Sequence, residues 1–165
     1  RSRREWLVFA LYALFGIISF SWVYLSQLPG PDAFVQQIDN TYHTSLMYTF
    51  YVTGDYSALH STLYPDIATG SYYPALFHEL GAMIMSATGC TTGIAENAVL
   101  FVFATLVFPW GMHDLLRTLA PDRSSVVLAG AFATVLFKGF TTNMIMWSVF
   151  PNMVSFCFIP LAMSE

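Results

Sequence analysis

Residues Trp6 to Leu28, "WLVFALYALFGIISFSWVYLSQL", form 23 consecutive positions without a charge. About 20 apolar residues in helical form cross the hydrocarbon core of a bilayer. Within lipid no water satisfies the backbone, so such a run can cross only as a helix or as part of a closed barrel. A 23-residue continuous apolar run without strand alternation selects the helix. The composition agrees: 56% of residues are hydrophobic and only 10% are charged, against about 25% charged in a soluble domain. The fold class read from the sequence is therefore all-α, a polytopic transmembrane helical bundle.

Arg1, Arg3 and Arg4 precede this run, and the next basic residue is Arg117. Basic residues collect on the cytoplasmic side of a membrane, which places the N-terminus in the cytoplasm. No small-residue cleavage pattern follows the run, so it reads as a first span or signal anchor. Three further spans are expected at about 93–116, 126–147 and 151–165, the last incomplete, with Pro109 bending the second. The chain reads as a single transmembrane domain, residues 1–165, and as the N-terminal part of a longer protein. Arg117 and Arg123 in "RTLAPDRSS" make that loop cytoplasmic too.

Between the first two spans lies an extracytoplasmic loop, about residues 29–92. "PGPD" at Pro29–Asp32 stops the first span. Two short helices follow, at about Phe34–Val52 and from Pro74 to Gly89. A Gly-, Ser-, Thr- and Tyr-rich loop joins them. Cys90 and Cys157 show no metal-ligand spacing and read as packing residues.

Asp39 and His43 are four residues apart and share one helix face. A carboxylate there could accept a proton from a hydroxyl, bind a cation or orient the imidazole; the plainer reading is a solvated face of an interfacial helix. His78 and Glu79 open "HELGA". Position 82 is Ala, so the zinc-protease pattern H-E-x-x-H fails. His78 is expected to face the Asp39 helix or to be an interfacial polar group. Lys138 lies a dozen residues into the third span. A lysine that deep is costly to insert and marks either function or an ion pair, with Glu96 as one partner. Tyr56, Tyr64, Tyr72 and Tyr73 suit a membrane interface and equally a sugar or a prenyl chain. No nucleotide fingerprint and no external basic patch point to nucleic acid.

The segments "DNTYH" (Asp39–His43), "GDYS" (Gly54–Ser57), "YYPALFH" (Tyr72–His78) and "FPNMVSFCFIPLAM" (Phe150–Met163) resemble a bacterial family of large polytopic membrane proteins of unassigned function. The overall order of basic N-terminus, span, long helical external loop and paired spans resembles the GT-C superfamily. Those are membrane glycosyltransferases that use polyprenyl-phosphate-linked sugars. The resemblance implies a GT-C-like bundle in the bacterial plasma membrane, with membrane lipids and a polyprenyl-phosphate-linked sugar donor as partners. It makes Asp39 the first-loop aspartate, a general base toward the acceptor hydroxyl or a group that helps to hold a metal, with His43 beside it as a second catalytic candidate. His78, Lys138 and Tyr73 are the substrate-binding candidates; the role of Lys138 toward the donor phosphate is not part of the superfamily's pattern and follows from its being the buried positive charge at hand. Asn40 stands where many such enzymes carry a second carboxylate, so no metal ligands are assigned and a divalent metal cofactor is left open. The alternatives are a transporter or lipid-handling protein, motivated by Lys138, and a non-catalytic membrane scaffold.

Overall fold

The computed structural model describes residues 3–63, 71–136 and 147–165. Among them the regular structure is helical, apart from one isolated bridge between Ser61 and Ser71. Helix α1 spans Arg3–Val23, α2 Ile38–Thr53, α3 Leu76–Thr88 and α4 Thr92–Val102. A π-helical turn, Phe103–Val107, leads into α5, Phe108–Leu119; α6 is Ser124–Leu136 and α7 Phe150–Ser164. Lys138 and Tyr64, and residues 137–146 of the expected third span, lie outside the described residues.

Two helical runs are long and apolar enough to cross a membrane, Arg3–Gln27 and Thr92–Leu119. The first leaves Trp6, Leu7, Ile18 and Trp22 uncovered, a surface that water penalises and lipid does not. Ser124–Thr134 and Phe150–Ser164 are shorter apolar helices. The second run, Thr92–Leu119, extends beyond the expected 93–116.

The π turn has a local cause. Pro109 has no N–H to donate to the Thr105 carbonyl four residues back, and its ring crowds that position. Widening the turn just ahead of the proline absorbs the mismatch. Pro109, where a bend was expected, follows this turn at the start of α5.

The chain divides into two compact units. One comprises residues 1–27, 101–144 and 152–165; the other comprises 28–100 and 145–151. In the first, Tyr12, Val127 and Ala131 form a buried centre packed by Val8, Phe15, Met112 and Leu116. The Tyr12 hydroxyl donates to the Val127 carbonyl, tying α1 to α6. Gly16 lets α1 approach the π turn: a Cβ there would stand 3.1 Å from Thr105 Cα and from Pro109 Cγ.

In the second unit, α2 packs on α3. Both helices end at glycines in the left-handed region, Gly54 (φ 69°) and Gly89 (φ 70°), where a side chain would be strained. Their amides close the helices on Phe50 O and Met85 O. Gly81 faces Met47 so closely that a Cβ would collide with its side chain. The segment before α2 is not helical from Phe34 as its spacing suggested. It runs without regular structure to Gln37 because side chains of the next layer hold its carbonyls. Asn97 Nδ2 donates to Pro31 O at 3.1 Å and to Ala33 O at 2.7 Å. Asn40 Nδ2 donates to Val35 O at 2.9 Å. The second external helix starts at Leu76, after Pro74, with Ala75 at its N-cap.

Candidate functional site

The polar residues of the second unit converge where the first turns of α2 and α3 face each other. Asp39 is in the first turn of α2. A carboxylate there is favoured by the partial positive charge of the helix N-terminus. Asp39 is exposed, whereas Asn40 and His43 on the same helix are buried. The shared face expected of Asp39 and His43 is therefore split: the carboxylate meets solvent and the imidazole turns toward α3.

His43 Nδ1 lies 3.0 Å from His78 Nε2, so His78 does face α2. His43 is 5% exposed and His78 wholly buried. Phe77 and Phe150 pack edge-on or tilted against His43, with centroids at 6.1 and 6.2 Å. Tyr73 packs on His78 at 5.5 Å and on Tyr42 at 5.0 Å. His43 also meets the backbone carbonyl of Ser148. Ser148 has φ 55°, a conformation that a non-glycine residue adopts at a cost. The Ala75 carbonyl lies near His78, yet His78 Nδ1 makes no hydrogen bond among the described residues.

Burial disfavours the charged form of both rings. It lowers His43, against the opposing attraction of Asp39 and the Ser148 carbonyl. It pushes His78 down to about 3, with the neighbouring His43 adding to the shift. The pair is therefore neutral near pH 7 and holds two N–H protons. One occupies the bridge between the rings and one remains for an outer nitrogen. The Ser148 carbonyl favours the tautomer with that outer proton on His43, in which His78 donates across the bridge. Tyr73 is raised by burial first, then by Tyr42 and Asp39; Tyr42 is raised by burial alone. His43 and Tyr73 thus both feel the Asp39 charge.

Behind the histidines a second polar contact joins α2 to α4. Asn40 Nδ2 donates to Glu96 Oε1 at 3.0 Å, and both side chains are buried. Glu96 Oε2 and Asn40 Oδ1 have no hydrogen-bond partner among the described residues. Glu96 was one candidate partner for Lys138, which lies outside the described residues; among the described residues Glu96 accepts from Asn40. Sequence reasoning missed the roles of Asn40, Tyr42, Ser148 and Phe150. The pair "DN" at 39–40 was a usable signal for Asn40. The others depend on tertiary contacts. His78, expected to touch substrate, has no exposed surface and can act only through its neighbours. No three His, Cys, Asp or Glu side chains gather as a metal would need, among the described residues. A divalent metal therefore has no ligand set there.

The profile of one protein family matches residues 1–164. The chain belongs to DUF6541, a family of unknown function. No curated protein and no solved structure matches the chain. DUF6541 is a family without an assigned function. It brings no activity, so any chemistry for this member rests on its own residues.

Proposed function

We propose that this DUF6541 member is a membrane-embedded glycosyltransferase of the GT-C kind. It takes sugar from a polyprenyl-phosphate donor at the extracytoplasmic face of the bacterial plasma membrane, with its N-terminus in the cytoplasm. The observation that carries the reading is Asp39: an exposed carboxylate in the first turn of α2, beside the stacked Tyr42 and Tyr73 and backed by the buried His43–His78 pair. The two apolar helical runs supply the membrane setting such a donor requires.

In this reading Asp39 accepts the proton of the acceptor hydroxyl as its oxygen bonds to the anomeric carbon. The bond from that carbon to the phosphate oxygen breaks, and polyprenyl phosphate leaves with the electron pair. A positioned carboxylate contributes about 10²–10⁴-fold in such a step. Tyr73 and Tyr42 offer aromatic surface to a sugar ring. His43 and His78 act as positioning residues that fix the start of α2 against α3. Lys138 keeps its suggested role toward the donor phosphate as part of the proposal. No step is routed through a metal.

The test is donor class. The protein in proteoliposomes is given one radiolabelled sugar on a polyprenyl phosphate or on a nucleotide. Transfer from the lipid-linked donor alone supports the reading. Transfer from neither donor, across several sugars, overturns it.

A further inference from the structure

The first unit holds a cleft of about 200 Å³ where the start of α1, the end of α5 and the start of α6 meet. Arg4, Glu5, His113, Arg117 and Ser124 line it, over an apolar floor that includes Val8 and Val127. Arg117 is paired with Glu5. Arg4 has no carboxylate partner among the described residues; its Nη2 donates to Ser124 Oγ at 3.2 Å. The lining charges of Arg4, Arg117 and Glu5 thus leave one positive charge in surplus. Helix α6 opens with Ser124 and Ser125; the amides of Val126 and Val127 already donate to the Arg123 carbonyl, so Ser124 and Ser125 carry the first-turn amides that an outside acceptor can meet. His113 is almost fully buried, with Nδ1 held by Asp114 Oδ1 at 2.8 Å, which fixes the ring in the cleft wall.

We propose that this cleft binds a phosphate group carrying an apolar stem. The guanidinium fork matches phosphate oxygens in two-point geometry, and a helix start adds amide donors and a favourable dipole. The apolar floor suits the stem. Trp6 and Trp110, exposed on α1 and α5 and linked through Phe9, are the residue type that gathers at the level of lipid headgroups. In the proposed orientation this is the cytoplasmic end. The cleft shares no residue with the Asp39 site and does not depend on the glycosyltransferase reading.

The experiment is calorimetric titration of the detergent-solubilised protein with dioctanoyl phosphatidic acid, dioctanoylglycerol and inorganic phosphate. Phosphatidic acid should bind at least about tenfold more tightly than dioctanoylglycerol, and Arg4→Gln should weaken it about tenfold. Arg4→Lys should restore part of that loss by keeping the charge. Affinity of the unaltered protein should fall as salt rises, a readout that needs no variant to fold. Phosphatidic acid binding more tightly than inorganic phosphate supports the site and its apolar floor; inorganic phosphate binding as tightly shows that the stem adds nothing and overturns it. Equal binding of dioctanoylglycerol and phosphatidic acid, or binding indifferent to salt and to Arg4, overturns it.

Discussion

His43 Nδ1 and His78 Nε2 meet at 3.0 Å in the packed contact between α2 and α3. The contact joins two residues 35 positions apart, and it satisfies one ring nitrogen of each imidazole. Replacing His78 by Ala removes a wholly buried ring and strands a nitrogen of His43. The expected cost is about 2–4 kcal/mol, read as a lowered midpoint in thermal unfolding of the detergent-solubilised protein. An unchanged midpoint would show that the contact carries no stability.

The same burial gives a pH dependence with a definite sign. Both histidines are lowered in the fold, while in the unfolded chain they charge near pH 6.5. Below that pH the unfolded state binds more protons, so stability is complete above about 6.5 and declines as pH falls, at His78 down to about 3. Each unit of descent costs about 1.4 kcal/mol per such histidine. Unfolding midpoints followed from pH 7.5 to 5 should fall, and the slope should shrink in His78→Gln. A flat profile would mean that the rings are solvated.

Two glycines should respond differently to Ala. At Gly93 a new Cβ would run into the Asp32 backbone carbonyl, with Phe34 Cδ1 at 3.2 Å; backbone cannot step aside cheaply. At Gly81 the obstacle is Met47, a flexible thioether chain. Gly93→Ala is expected to cost about 1–3 kcal/mol. Gly81→Ala should cost less than about 1, because Ala also gains helix propensity over Gly. Equal midpoints for the two variants would contradict the close approach at Asp32.

Asn97 holds the segment ahead of α2 through two carbonyls, Pro31 O and Ala33 O. Asn97→Ala should release it at about 1 kcal/mol per bond. Amide exchange measured by mass spectrometry should speed up across residues 31–37 and leave α3 unchanged. Unaltered exchange in that segment would show that other contacts hold it.

These contacts also mark the limit of what the sequence disclosed. The first long apolar helix was legible because an apolar run of 23 uncharged residues without strand alternation selects a helix. The end of α3 at Gly89 was legible because a glycine closes a helix locally. The start of α2 was not: Phe34 has helical spacing, but Asn97, more than 60 residues away, holds the carbonyls of Pro31 and Ala33 in an extended segment. At the site, the i, i+4 spacing of Asp39 and His43 showed that they are neighbours. It did not show that α3 covers one and leaves the other in solvent, since helix rotation is set by packing. Asn40 with Glu96 was hidden in the same way, 56 residues apart.

The most direct test is lipid-linked sugar transfer by the unaltered protein beside Asp39→Asn, with Asp55→Asn as control. Asp55 is also exposed, but serves a local turn through Ser57 N and His60. Loss of at least about 100-fold in Asp39→Asn, with Asp55→Asn unaffected and all three proteins unfolding alike, is the predicted result. Full transfer by a folded Asp39→Asn variant would contradict the assignment of Asp39 as the base.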